Sequence, residues 1–230
     1  MPIDFHSPQN RDAYSGRAVD PEWFAAMRRR IEPTALNVVD IGCGGGTYSA
    51  AWLELGANSV QGMDFSEHMI AAAQERHGGD SRLTFALADA VNTGLSAGSA
   101  DVVFKRAVVH HVADTESAIT EAVRLLRPGG VLIVQDRTSE DVEQPASPRH
   151  PRSYLFEAYP RLLEVELGRR PDRQLLVQQM TAAGLSDMRV DNFWEVRAVH
   201  RDRSAYLDDV AGRTGPGQSC TIWTTMNSTT

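Results

Sequence analysis

Residues 38–49 read VVDIGCGGGTYS, an apolar run that empties into five residues of which four are glycine. Val38, Val39 and Ile41 suit a short buried strand. Gly42, Gly44, Gly45 and Gly46 admit positive φ and let a ligand approach bare main chain. Thr47 to Leu55 then reads as a helix, with Gly56 as its stop. Ligands of an open parallel sheet bind beyond the carboxyl ends of its strands, where a following helix offers free N–H groups to a carboxylate or phosphate. Taken alone, the glycines equally fit a tight turn. Their spacing is not that of the dinucleotide fingerprint G-x-G-x-x-G, because Gly42, Gly44 and Gly46 are evenly spaced.

Working outward, strand and helix signals alternate. NSVQGMD (58–64) is a second strand, and Ser66 caps a helix through His77 with Met69, Ile70 and Ala73 on one face. RLTFALAD (82–89) is a third strand and ADVVFKRAV (100–108) a fourth. Thr115 to Leu126 is a helix stopped by RPGG, and VLIVQDR (131–137) is a fifth strand. Such alternation implies right-handed crossovers and a parallel sheet covered on both faces, one doubly wound α/β domain. Thr138 to Ser153 breaks the rhythm and reads as a loop or lid. Residues 154–168 and 171–185 look helical, 187–200 (DMRVDNFWEVRAVH) looks like one long strand, and Ser204 to Val210 is a short helix.

Bulk properties narrow the function classes. A chain of 230 residues with 42% hydrophobic content forms one domain with a real core. No run of about 18 apolar residues is present, so no membrane span is expected, and MPIDFHSPQN is too polar for a signal peptide. Cys43 and Cys220 are the only cysteines. They make neither a disulfide framework nor a metal site and fit a reducing cytoplasm. A net charge of −7 argues against nucleic acid as a partner. Nothing in the sequence fixes the oligomeric state.

Asp64 ends the second strand, where a carboxylate can accept both hydroxyls of a ribose; it equally suits a helix cap shared with Ser66. Asp89 ends the third strand, where a carboxylate can accept from an adenine amino group or simply meet solvent. Three such features at three successive strand ends point to one nucleoside-binding crevice.

VVDIGCGGGTYS, GMDFSEHMIAAAQE, ALADA, ADVVFKRAVVHHV and LLRPGGVLIVQD resemble, in order, the motifs of class I S-adenosylmethionine-dependent methyltransferases, nearest to the small-molecule branch of ubiquinone and menaquinone biosynthesis. The resemblance covers roughly residues 35–137. It implies a Rossmann-like, mostly parallel sheet in a three-layer α/β/α arrangement and S-adenosyl-L-methionine as cofactor. It implies that Asp40, Gly42, Cys43, Gly44 and Gly46 surround the methionine part and that Asp64 takes the ribose. Phe65 and Met69 would flank the adenine, Asp89 and Ala90 its edge, and Lys105 and Arg106 would reach the methionine moiety through main chain. Residues 1–34 resemble the cap of such enzymes, with Tyr14 and Arg17 near the cofactor carboxylate, and 138–170 occupy the place of their substrate-selecting lid. His150, Arg152 and Tyr154 in that lid suit an anionic or aromatic acceptor.

The implied function is in-line transfer of a methyl group to a small-molecule acceptor. His110 and His111, after the fourth strand, are the best-placed titratable pair for a base, and packing against the cofactor is the other reading of both. No metal constellation is visible. Two rival functions stand beside this one: a catalytically inactive cofactor-binding regulator, and a NAD-dependent oxidoreductase, which the glycine spacing disfavours.

The last stretch, TGPGQSCTIWTTMNSTT (214–230), carries no charge in a chain otherwise rich in Arg, Asp and Glu. It shows neither helical nor strand periodicity. An ordinary disordered terminus is one reading; the other is a frameshift, because with GC-preferred codons a shifted frame reads Pro-Val-Leu-His-Asp-Leu and an acidic run. On that reading the domain spans 1–213, with 171–213 as its C-terminal part, and its sheet has six strands, the last one missing or irregular.

Overall fold

A computed structural model of the chain describes residues 19–147, 150–193, 201–212 and 223–227. Helix α1 (Pro21–Arg28) opens with Asp20 accepting the Glu22 N–H at 2.9 Å and proline in the first turn. The repeating core follows: β1 (Asn37–Ile41), α2 (Thr47–Leu55), β2 (Ser59–Asp64), α3 (Glu67–His77), β3 (Leu83–Leu87), β4 (Ala100–Arg106), α4 (Thr115–Leu125) and β5 (Leu126–Gln135). Then come α5 (Ser139–Val142), α6 (Ser153–Ala158), α7 (Pro160–Leu167), α8 (Arg173–Ala182), β6 (Met188–Asp191), α9 (Arg203–Gly212) and β7 (Trp223–Asn227).

The strands form one sheet in the order β3-β2-β1-β4-β5-β7-β6, with β1 to β5 parallel and β7 antiparallel to both neighbours. Alternation along the strands feeds two cores. Val38, Val102, Phe104 and Ile133 face α1 and α2, where Trp23, Trp52 and Phe104 meet edge to face at centroid distances of 5.6–6.0 Å. Val39, Ile41, Val103, Leu132 and Val134 face the other way, onto Ile119, Ala122 and Leu125 of α4 and Leu176 and Met180 of α8. The expected doubly wound, three-layer α/β/α architecture is present.

Among the described residues the sheet has seven strands, not six. Trp223–Asn227 pairs on both edges, from Val131↔Asn227 to Gln135↔Trp223 and from Met188↔Met226 to Asp191↔Trp223. Trp and Thr favour extended backbone, but the run has no clear apolar alternation, so periodicity could not reveal it. The strand thought missing is supplied, which removes that ground for a frameshift. The rest of 214–230 lies outside the described residues.

Three smaller departures have local causes. The strand-like run 187–200 forms strand only over Met188–Asp191, and 194–200 lies outside the described residues. The helix expected over 154–168 breaks at Tyr159, because proline at 160 disfavours helical backbone in the residue before it. The loop 138–153 contains α5, closed by a capping box between Thr138 and Asp141.

Candidate active site

The chain leaves β1 toward β2 on one side and reaches β4 on the other. The strand order therefore reverses between β1 and β4, and the crevice beyond their carboxyl ends is the natural ligand site. The glycine cluster after β1 and residues 106–111 after β4 are its two walls.

Backbone hydrogen bonds build the first wall. The N–H groups of Gly42 and Cys43 donate to the Met63 carbonyl at 2.7 and 3.0 Å, and that of Gly46 to the Cys43 carbonyl at 3.0 Å. Gly42 has φ 78°, and a Cβ there would lie 2.5 Å from Val108 Cγ2. Gly44 has φ 52°, yet no heavy atom lies within 4 Å of where its Cβ would be. One glycine is required by packing; the other lays bare main chain against open space. That second feature is a cradle of the kind a close-fitting ligand needs.

Asp64 holds this wall to the next strand. Its Oδ2 accepts the Gly44 N–H at 2.9 Å and its Oδ1 the Ser66 N–H at 2.9 Å. Sequence reasoning offered a ribose acceptor or a cap; the cap is present, together with a strut to the glycine loop. Each carboxylate oxygen still has acceptor capacity for a second donor. Burial raises the Asp64 pKa, against the pull of the Ser66 and Gly44 amides. Asp40, 1% exposed, accepts the Ser49 hydroxyl at 2.6 Å. Burial pushes its pKa up to about 7, with Ser49 opposing and Asp64 adding to the rise. Cys43 is free, and burial raises its thiol pKa.

Other expected residues are distributed around this frame. Phe65 is 45% exposed, whereas Met69 is buried on α3. Asp89 is exposed, and its Oδ1 accepts the Val91 N–H at 3.0 Å. The buried Lys105 passes beneath this turn, donating to the Ala90 carbonyl at 3.4 Å. Burial lowers its pKa to about 8, with Glu121 and Asp89 acting in the opposite direction. Lys105 thus supports the Asp89–Ala90 turn with its side chain. The Arg106 guanidinium lies 3.9 Å from the centroid of the Tyr48 ring on α2, spanning the two walls. Tyr14 and Arg17 fall outside the described residues.

The second wall is built from side chains. His110 is buried, with Nδ1 2.7 Å from Asp136 Oδ1 just beyond β5. His111 is exposed beside it, ring centroids 3.9 Å apart. Partial desolvation lowers the His111 pKa to about 3, and the neighbouring His110 ring adds to this. The two histidines are therefore unequal: His110 is tied into the interior and His111 borders the opening. In the segment after β5, His150 is buried with Nδ1 2.6 Å from Ser153 Oγ, and Tyr154 is exposed.

Asp136, Arg137, Glu166, Arg169 and Arg170 escaped sequence reasoning, although they gather at this wall with Arg152. Two signals for them were present: a carboxylate directly after the apolar strand β5, and arginines three and four residues beyond Glu166. Among the described residues no group of three His, Cys, Asp or Glu side chains could hold a metal ion, and no helix is long and apolar enough to cross a membrane.

The chain is similar to known methyltransferases in sequence and in fold. Residues 39–134 match a family described as "Methyltransferase domain". The demethylmenaquinone methyltransferase of Clavibacter sepedonicus is 28% identical over 197 residues, 79% of each chain. The ubiquinone biosynthesis O-methyltransferase of Cupriavidus pinatubonensis is 39% identical over 101 residues, 43% of this chain and 40% of that protein, so this match spans about two fifths of that relative. An S-adenosylmethionine-dependent methyltransferase structure from Mesorhizobium loti superposes with a TM-score of 0.62 at 20% identity, covering 89% of this chain and 97% of that one.

Proposed function

We propose that the chain is a class I S-adenosylmethionine-dependent methyltransferase that transfers the methyl group in line to a small-molecule acceptor lying in the crevice between β1 and β4. The observation that carries this reading is Gly44, whose left-handed main chain faces open space while Asp64 fixes its N–H.

The bound cofactor supplies a methyl group on a sulfonium, already a strong electrophile. What remains for the chain is to bind, align and exclude water. Asp64 accepts the ribose hydroxyls on the lone pairs its two backbone bonds leave free. Asp89 offers Oδ2 to the adenine amino group, on a turn that Lys105 holds up from below. Asp40 sits under the glycine loop, where a cationic ligand would favour its ionised form. Tyr14 and Arg17 serve the cofactor carboxylate.

His111 is a poor general base as it stands, because a base works best with a pKa near the working pH, far above about 3. His110 is tied to Asp136. We therefore read the pair as aligning the acceptor, with residues 138–170 closing over it as a lid. A small molecule is favoured over nucleic acid by the net charge of −7 and by the quinone-related names of the two relatives described above.

The test is methyl transfer from radiolabelled S-adenosylmethionine to fractions of a small-metabolite extract. Label should enter a low-molecular-weight fraction with matching release of S-adenosylhomocysteine. Label appearing only in protein or nucleic acid would overturn the proposal.

A further inference from the structure

Beyond β5 the chain buries an excess of positive charge. Asp136 and Arg137 follow the strand, Arg152 precedes α6, Glu166 lies in the last turn of α7, and Arg169 and Arg170 follow it. Glu166 gathers all four arginines. Its Oε2 accepts from Arg137 at 3.2 Å and Arg170 at 2.8 Å, and its Oε1 from Arg152 at 3.2 Å and from Arg169. Asp136 is already occupied by His110 and by the Arg137 N–H at 2.8 Å, and Arg170 approaches it only to 3.7 Å. Asp141 also acts on Arg137, but its Oδ2 accepts the Thr138 N–H at 2.8 Å.

Four guanidiniums bring far more donors than these acceptors can engage. Three buried donor atoms, Arg152 Nη1 and the Nε atoms of Arg169 and Arg170, have no partner among the described residues. Buried donors in native structures nearly always meet an acceptor, whether from protein, water or ligand. The crowding shows in Arg137, whose pKa is lowered to about 9 by burial and then by Arg170 and Arg152.

The cluster also adjoins the opening. His110 joins Asp136 to the ring of His111, and the charges of Arg169 and Arg170 act on that ring directly. Arg169 is the most accessible of the four, its side chain 23% exposed.

We infer that the Arg137–Arg152–Arg169–Arg170 cluster receives an oxyanion of the methyl acceptor, so that the substrate is a small organic carboxylate or phosphate. This rests on the small-molecule methyltransferase reading. A guanidinium fork matches either anion through paired N–H donors. Entering at Arg169 beside His111, the oxyanion supplies the acceptor atoms the cluster lacks and places the rest of the molecule against the crevice.

The test is titration calorimetry on the full chain saturated with S-adenosylhomocysteine, using benzoate and inorganic phosphate as separate probes. One of them should bind at a single site; which one does so distinguishes a carboxylate site from a phosphoryl site. Arg152→Gln should weaken that binding roughly ten-fold or more, and Arg152→Lys should restore part of it, with affinity for S-adenosylhomocysteine unchanged in both. Should Arg152→Gln fail to fold, Arg169→Gln at the accessible edge carries the same expectation. Absence of binding by both probes, or equal binding by wild type and variants, overturns the inference. Failure of the wild-type chain to bind S-adenosylhomocysteine would instead overturn the cofactor reading, and the two failures are separately visible.

Discussion

The two walls of the crevice treat the same chemical group in opposite ways. On the β1–β2 side, Asp40 and Asp64 are buried near one another, and burial raises both pKa values, with Arg106 only partly opposing the rise at Asp40. On the β4–β5 side, Asp136 and Glu166 are just as buried, and burial alone would raise theirs too. There the His110 ring and Arg170 around Asp136, and Arg152, Arg170 and Arg169 around Glu166, outweigh burial and hold both at about 2. One wall holds carboxylates still wanting a cation, and the other holds cations still wanting an anion. A ligand with a positive centre at one end and an acceptor with a negative group at the other would satisfy both.

The largest expected effect lies at the glycines. Gly44→Val should abolish binding of S-adenosylhomocysteine, a loss on the order of 100-fold or more by calorimetry, because a branched side chain would fill the open cradle. Melting should shift only modestly, since left-handed backbone costs an L-residue about 1–2 kcal/mol. Gly42→Val should instead lower stability strongly, its Cβ meeting Val108 at 2.5 Å. Normal ligand binding by folded Gly44→Val would break the assignment of this wall.

The carboxylates give two stability effects of opposite sign. Asp136→Asn strips His110 and Arg170 of their partner and should destabilise the fold by about 3–5 kcal/mol at neutral pH. The folded pKa of Asp136, about 2, lies below the ordinary 3.8. Its contribution is therefore present above pH 3.8 and fades as pH falls through 2. Asp40 runs the other way. With a folded pKa of about 7, ionisation costs stability progressively as pH rises from 3.8 to 7. Asp40→Asn should match wild type near pH 3.5 and be the more stable protein above pH 7. Urea denaturation across that range measures both, and curves of the same sign would erase the contrast between the walls.

Third in size is Asp64→Ala, which should weaken S-adenosylhomocysteine by about 1.5–3 kcal/mol, the worth of hydrogen bonds to a charged group. Calorimetry reads this directly. Unchanged affinity in a folded protein would leave Asp64 only its contacts with Gly44 and Ser66.

The first wall was legible in the sequence and most of the second was not, for a physical reason. Gly42 to Gly46, Asp64 and Asp89 owe their positions to local backbone: each follows a strand whose apolar run marks it. Arg137, Arg152 and Arg170 converge on Glu166 from the end of β5, the start of α6 and the end of α7, and no periodicity encodes that meeting. His110 and His111 were equivalent as adjacent letters. Only the path of the chain after β4 turns one inward to Asp136 and the other toward the opening. The same limit applied to β7, whose place between β5 and β6 follows from pairing partners far off in the sequence.

The smallest effect is the most discriminating for mechanism. His111→Asn removes a ring whose pKa, about 3, leaves it neutral and weakly basic throughout the working range. If His111 aligns the acceptor, turnover should fall by less than about ten-fold, and the pH–rate profile should keep its shape between pH 6 and 9. A general base contributes typically about 10²–10⁴-fold, and its loss would lower kcat while leaving affinity for the cofactor intact. A drop of that size, with loss of an inflection near neutrality, would mean that the acceptor's own anion lifts the His111 pKa as it binds. The oxyanion site and the base would then be parts of one device, and Arg169→Gln should move that inflection as well.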